Sequence, residues 1–263
     1  MKKILLFILL FASDFGFSQK TQFCLYTPID VPIRSIMPNM RVNLGFGASF
    51  AYRPIFGFPM LAEIKTSFGR YATQTTTESV QLYQNYKATN VHSSYASKFN
   101  KYLIGTKWLI GYDIHTIRGF ITPQIGLANF RTISSYNFND PNSKNYSGKH
   151  VDLRNLGGVY GGEIGFEILL NNVFKKKMSS NVKHRLLVSG SILRGFTTFQ
   201  YTNTNYMQDL NTASHLNGDA NSLYIYLQNK YSYANNVTEV YSSKLFMWGI
   251  NIGYVINFEQ KDE

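Results

Sequence analysis

Residues 242–258 read SSKLFMWGINIGYVINF, and large and small side chains alternate along this stretch. The even positions are mainly aromatic or branched, as at Trp248 and Phe258, whereas the odd positions include Gly249 and Gly253. Such strict alternation predicts a β-strand. A strand of a water-soluble sheet would carry charged residues on its second face. Small residues instead fit the interior of an eight-stranded barrel whose large face contacts lipid, so the stretch predicts a transmembrane strand.

The same two-faced pattern recurs upstream in residues 41–53 and 156–169, where glycines fill the smaller face. Residues 102–112 and 117–132 alternate less cleanly. Pro123 interrupts the second of these segments, and because proline has no ladder donor it favours an edge or a bulge there.

The connecting segments predict the number and direction of the strands. Short links lie at 54–59, 113–116 and 171–183, and long polar links lie at 73–97, 134–154 and 202–240. Outer-membrane barrels have short periplasmic turns and long external loops, so a first upward strand must precede residue 41, with residues 29–39 as its loop. The prediction is all-β, a transmembrane antiparallel up-and-down β-barrel of eight strands: 20–28, 41–53, 60–72, 98–112, 117–133, 155–170, 184–201 and 241–258. Alternation inside the long links further predicts that some strands continue as hairpins above the membrane.

Composition agrees with a barrel and excludes two other classes. The 263 residues include 20 Phe, 19 Tyr and 2 Trp, but only 16% are charged. Apart from the N-terminus, no segment approaches the roughly 20 consecutive apolar residues of a membrane helix. The many aromatic residues are not typical of a disordered chain.

The first residues have the features of an export signal. Lys2 and Lys3 precede the apolar run 4–12 (ILLFILLFA), and small residues follow at Gly16 and Ser18. This arrangement predicts a signal peptide at 1–18, cleaved before Gln19, and an outer-membrane barrel domain at 19–263. The chain contains a single cysteine, so no intramolecular disulfide is expected.

Several stretches resemble a known family. VNLGFGASFAYRPIFGFPMLAEIKTSFGR at 42–70, together with FITPQIGLA, GGEIGFEILL and the closing YVINF, resembles the eight-stranded outer-membrane β-barrel domain of Bacteroidetes. The similarity is to the porin-like group related to PorT and, more distantly, to OmpX. This resemblance implies no shared catalytic set, and it implies recognition of the last strand by the barrel-assembly machinery.

Two groups of charged residues are candidate sites. Strand phase points one group into the lumen, where we expect a paired structural network, with a proton or ion path as the alternative: Glu63, Lys65, Lys101, Lys107, Glu163 and Glu167. The second group lies in or beside the third periplasmic turn, either as a solvated turn near lipid phosphates or as a docking patch for an acidic partner: Lys175, Lys176, Lys177, Lys183 and Arg185, with His184 among them.

Catalytic and metal-binding signals are weak. His92, with Ser93 and Ser94, His150 and His215 lie in long loops, where an enzyme acting on lipid A could place a Ser-His pair. The sequence contains no paired-histidine metal spacing and no phosphate-binding glycine loop, so no cofactor is expected. Nucleic-acid binding, which a sequence pI of about 9.5 could suggest, conflicts with export.

The sequence therefore predicts a non-enzymatic outer-membrane barrel with a structural or accessory role in a larger envelope or secretion assembly. The alternatives are a lipid A-modifying enzyme and a passive porin for small solutes. Expected partners are outer-membrane lipids and lipopolysaccharide, with Lys87, Lys98, Lys144 and Lys149 near the external boundary. Tyr-rich loops either bind a partner or hold one another in place.

Overall fold

The computed structural model describes residues 21–38, 40–53, 60–82, 87–110, 116–139, 145–170, 182–203, 225 and 239–258. These residues form eight strands: β1 (Thr21–Pro32), β2 (Asn43–Tyr52), β3 (Met60–Leu82), β4 (Lys87–Ile110), β5 (Ile117–Asn139), β6 (Asn145–Leu169), β7 (Val182–Asn203) and β8 (Glu239–Phe258). Each strand pairs antiparallel with its sequence neighbours, and β8 pairs with β1, so the sheet closes into a barrel. The predicted all-β, eight-stranded antiparallel barrel is confirmed. Within the described residues, no helix has the length and apolar character needed to cross a bilayer.

The pairing register makes the strands tilt. One path around the barrel, followed along the cross-strand pairs from Thr21, ends ten residues further along the same strand at Val31. Such a displacement requires strands tilted by about 35–45° to the barrel axis. Because of this tilt, residues at one height along the axis come from well-separated positions in the sequence.

The strands extend further at one end than at the other. Paired residues continue to Leu82 and Lys87 in β3–β4, and to Asn139 and Asn145 in β5–β6. We call this the hairpin end, and the opposite end, which holds Thr21 and Phe258, the turn end. Much of the predicted loops 73–97 and 134–154 is therefore strand, which confirms the expectation of extended hairpins.

The first strand also differs from its expected bounds. β1 continues to Pro32, beyond the predicted end at residue 28, because it pairs with β8 as far as Met247. Part of the predicted first loop, including Asp30, thus lies inside the barrel wall. The predicted signal peptide and residues 204–224, 226–238 and 259–263 lie outside the described residues.

Candidate functional site

The turn end of the lumen is organised around Glu167. Its carboxylate accepts hydrogen bonds from the Lys107 ammonium and the Arg118 guanidinium, and its backbone carbonyl accepts one from Arg185 at 3.4 Å. Lys107 also donates to Gln22 Oε1 at 3.1 Å. Both arginines and Glu167 are at most 2% exposed. Charges this deeply buried are tolerated only when they are paired and hydrogen-bonded, and Glu167 meets that condition.

Glu163 forms a second centre nearer the middle of the barrel. Lys65 Nζ lies 2.5 Å from Glu163 Oε2, and Gln124 Nε2 donates to the same oxygen at 3.1 Å. The other oxygen, Oε1, accepts hydrogen bonds from Asn251 Nδ2, at 3.0 Å, and from the Ser189 hydroxyl. Both lone-pair sides of this carboxylate are therefore occupied by protein donors, which leaves no vacant acceptor for a passing ion or proton carrier.

A third pair lies closer to the hairpin end. Lys101 Nζ is 2.5 Å from Asp30 Oδ1, and Asn43 Nδ2 donates to Asp30 Oδ2 at 2.9 Å. The described part of the lumen thus holds five buried cations and four buried carboxylates: Lys65, Lys101, Lys107, Arg118 and Arg185 against Asp30, Glu63, Glu163 and Glu167. The charges nearly cancel, as a packed interior requires.

An aromatic cap closes the lumen above these pairs. Phe130 is fully buried, and its ring centroid lies 4.6 Å from Phe99, 5.6 Å from Phe199 and 6.0 Å from Tyr71. The ring centroid of Tyr201 lies 6.2 Å from that of Phe130. Rings at these separations pack in tilted and edge-to-face contacts that exclude water. The cap was not predicted, although strand phase already places Phe99 and Phe130 on the inner face.

The segment after β1 folds back to complete the cap. Met37 and Met40 are buried against the aromatic cluster, and Met37 is fully shielded from solvent. The Tyr201 hydroxyl donates to the Pro38 carbonyl at 2.8 Å. Flexible Met side chains fill the irregular gap between the rings and the barrel wall.

The structure brings five of the six predicted lumen residues into ion pairs and adds residues that the sequence reasoning missed. Glu63 is buried and acts electrostatically on Lys65, but no described side chain hydrogen-bonds to its carboxylate. Asp30 was missed because residue 30 was placed in a loop. Arg118 was missed although it shares the inward phase of Phe120.

The residues of the predicted basic patch do not form one surface patch among the described residues. Lys175, Lys176 and Lys177 lie outside the described residues. Arg185 belongs to β7 and is fully buried in the lumen, so it is not a surface residue of a turn. Lys183 and His184 are partly exposed at the start of β7, where the His184 ring stacks on Tyr254. Arg185 is buried because β7 already starts at Val182. Every second residue of this strand points into the lumen, and Arg185 shares that direction with Leu187 and Ser189.

The histidine region forms a polar hollow rather than a Ser-His pair. His92 Nδ1 lies 2.9 Å from the Thr77 hydroxyl, Ser93 points inward, and Ser94 is bonded to Ser135 at 2.6 Å. The surrounding hollow, of about 730 Å³, has a lining rich in Ser, Thr and Asn. The His150 side chain and His215 lie outside the described residues. No group of three metal-ligating side chains occurs in the described ranges.

A broad apolar band surrounds the outside of the barrel. Ile64 is 64% exposed, Ile164 61% and Phe166 58%, and they have similar neighbours on every strand. Outward residues from Asn100 to Ile110 of β4 span ten positions, which at the usual rise and tilt correspond to a height of about 25 Å. Water-soluble monomers rarely expose apolar patches beyond a few hundred Å², so this band is typical of a surface covered by lipid.

Comparison with known proteins gives similarity in structure only. No protein-family model matches the sequence and no curated protein matches it, so the resemblance to the Bacteroidetes barrel family stays a prediction. Neisserial surface protein A has 8% identity and a TM-score of 0.36, with 92% of this chain and 97% of that chain covered. The attachment invasion locus protein of Yersinia pestis has 9% identity and a TM-score of 0.33, with 90% and 97% covered. A major outer membrane protein of Thermus thermophilus has 9% identity and a TM-score of 0.34, with 92% and 100% covered.

Proposed function

We propose that the chain is an integral outer-membrane β-barrel with a sealed lumen, and that it acts as a structural or accessory subunit of an envelope assembly. The main support for this proposal is the filled interior, in which ion pairs at three heights lie beneath an aromatic cap. A barrel of this kind contributes its surfaces and its external hairpins, because side chains fill the described part of its interior.

Location in the outer membrane is supported by the outer surface. The apolar band is bounded by aromatic residues at both edges, as outer-membrane barrels are. Trp108 and Phe258 lie near the turn end, and Tyr102 and Trp248 lie near the hairpin end. Since long hairpins of such barrels face outward from the cell, the hairpin end would be external and the turn end periplasmic.

The accessory role is supported by the shape of the hairpin end. β3–β4 and β5–β6 continue as one paired sheet well above the apolar band. Within it Tyr95 is fully buried, and the Phe138 and Tyr146 rings stack at 4.9 Å. A preordered sheet loses little conformational entropy when it binds a partner, which favours recognition over conduction.

Reconstitution of the purified chain tests the location and the sealed lumen together. We expect heat-modifiable migration on gels, spontaneous insertion into vesicles and no steps of ionic current across a planar bilayer. Regular conductance steps would support the porin alternative. Migration unchanged by boiling would argue against a membrane barrel altogether.

The accessory role needs a separate experiment in native membranes. Extraction in mild detergent should recover the barrel in a stoichiometric complex larger than the monomer. A lone barrel in such an extract would contradict the accessory role. A deletion strain with altered lipid A mass spectra would instead favour the enzyme alternative, and we expect those spectra to be unchanged.

A further inference from the structure

Four basic residues are direct cross-strand neighbours on the outer surface of β3–β6. They form what we call the basic row: Arg70 of β3, Lys98 of β4, Arg131 of β5 and Arg154 of β6. Each shares the outward phase of its strand, and the two end residues are exposed. Opposite Cβ atoms in such pairs lie about 4.5–5.5 Å apart, so four positive charges are contiguous at the upper edge of the apolar band.

The basic row has no acidic partner in the part of the chain that the structure describes. No hydrogen bond or ion pair joins any of the four side chains to a carboxylate in the described part of the chain. The Nε of Arg131 is buried and has no acceptor. Like charges placed directly opposite each other destabilise a strand pair. A row of this kind is therefore stabilised when an anion from outside the chain bridges it.

The surface beneath the row is amphipathic and then apolar. Asn100 and Asn129 form the next cross-strand pair, and the Phe68 and Tyr102 rings meet edge-to-face at 5.9 Å just below. Further toward the turn end a groove of about 680 Å³ runs across β2–β6 between Phe50, Ile64, Ile104, Ile125 and Tyr160. Small residues and Pro123 form its floor, and they leave the space between the larger side chains open. A groove of this size and lining fits an acyl chain.

The surface above the row is polar, and Lys149 adds one further cation to it. The hollow around His92 lies on the same strands, closer to the hairpin end, and its hydroxyl and amide groups include Thr75, Thr77, Ser135 and Asn137. Such a mixture of short donors and acceptors suits the hydroxyls of a sugar. From the turn end toward the hairpin end, one face of the barrel therefore presents the apolar groove, the amides of Asn100 and Asn129, the basic row and the polar hollow.

We infer that this face binds a phosphorylated glycolipid of the outer leaflet, the lipid A part of lipopolysaccharide. Its phosphate lies on the basic row, where Arg and Lys donate charge-assisted hydrogen bonds. One acyl chain occupies the groove, and the sugars beyond the phosphate occupy the polar hollow. An ordinary phospholipid satisfies the first two contacts but offers no sugar to the third. The inference rests on the proposed outer-membrane location.

The test uses the purified mature chain, folded in detergent, and native mass spectrometry. The probes are lipid A, the same lipid A after enzymatic removal of its phosphates, and inorganic pyrophosphate as a competitor. One variant removes the row by Arg70→Gln, Lys98→Gln, Arg131→Gln and Arg154→Gln. A matched control removes four exposed cations elsewhere on the surface by Arg34→Gln, Arg41→Gln, Arg194→Gln and Lys244→Gln.

We expect the row variant to bind lipid A about tenfold more weakly or worse, and the control to stay within about twofold of the unmodified chain. Dephosphorylated lipid A should bind the unmodified chain as weakly as lipid A binds the row variant. Equal losses in both variants would overturn the inference, because general surface charge would then explain binding. Competition by pyrophosphate at the concentrations of the lipid itself would also overturn it, because the site would then take a free anion.

Folding is checked separately, so that a failure of the glycolipid site can be told apart from a failure of the outer-membrane proposal. Each variant must show the same heat-modifiable migration as the unmodified chain; otherwise the single changes Lys98→Gln and Arg131→Gln replace the combined variant. If the unmodified chain does not insert into vesicles, the outer-membrane proposal is wrong. If it inserts but binds phosphorylated and dephosphorylated lipid A equally, only the glycolipid site is wrong.

Discussion

Lys65 and Glu163 are 98 residues apart in the sequence, yet their side chains meet at 2.5 Å across the lumen. They belong to β3 and β6, which are not neighbours in the sheet. The ion pair therefore joins opposite walls of the barrel. Because it lies between the turn-end cluster around Glu167 and the aromatic cap, it is the middle of three contacts that fill the interior.

Removing the charge of Glu163 should destabilise the barrel strongly. Glu163→Gln keeps the size of the side chain but leaves the buried Lys65 ammonium without the carboxylate that it contacts, a loss of about 3–5 kcal/mol. The free energy of unfolding can be followed by urea titration in lipid vesicles. Adding Lys65→Met to this variant should recover part of the loss. Glu63→Gln is the matched control, since the Glu63 carboxylate has no hydrogen-bond partner among the described residues, and an equally large loss there would contradict the assignment.

The adjacent glycines of β6 should respond differently to the same change. A Cβ at Gly161 would overlap the Ile192 carbonyl oxygen of the neighbouring strand, whereas one at Gly162 would lie 3.7 Å from the nearest atom. Gly161→Ala should therefore cost about 1–3 kcal/mol of folding free energy, as overpacking does. Gly162→Ala should be nearly neutral. Folding yield in detergent, read from the heat-modifiable gel shift, distinguishes them, and similar yields would show that β6 and β7 separate easily.

The segment that carries Met37 should open more readily when its hydrogen bond is lost. Tyr201→Phe removes the donor to the Pro38 carbonyl while the ring stays in the cap, at a cost of about 1 kcal/mol. Exposed Arg34 in this segment provides a trypsin site. Cleavage after Arg34 in the folded protein should become several-fold faster. Tyr160→Phe, on the outer face, is the control, and it should leave the cleavage rate unchanged.

The two tryptophans report on the membrane. Trp108 and Trp248 both point outward from the band, near its opposite edges. In single-tryptophan variants Trp108→Phe and Trp248→Phe, fluorescence should be quenched strongly by lipids brominated on their acyl chains and weakly by aqueous acrylamide. The reverse pattern would indicate that the band faces water, and it would contradict a transmembrane barrel.

Strand phase predicted the two faces of the barrel with good accuracy. The outward residues of 41–53 and 242–258 lie in the apolar band, and the six predicted lumen residues are all buried. Phase depends only on local alternation, and a period of two persists wherever a strand is paired on both sides. Strand ends were less well predicted, because hairpin residues such as Thr77 and His92 are polar on the outside once they extend beyond the lipid.

The sequence by itself determined the class of fold, the number of strands and the side of the wall on which the residues of its clearly alternating strands lie. Only the tertiary structure decided which buried charges meet, how the lumen is closed and where four cations line up. Those contacts depend on the displacement of register around the closed barrel, which brings Asp30 to Lys101 and Arg70 to Lys98. A linear pattern does not contain that displacement, because it arises from the geometry of closure across all eight strands.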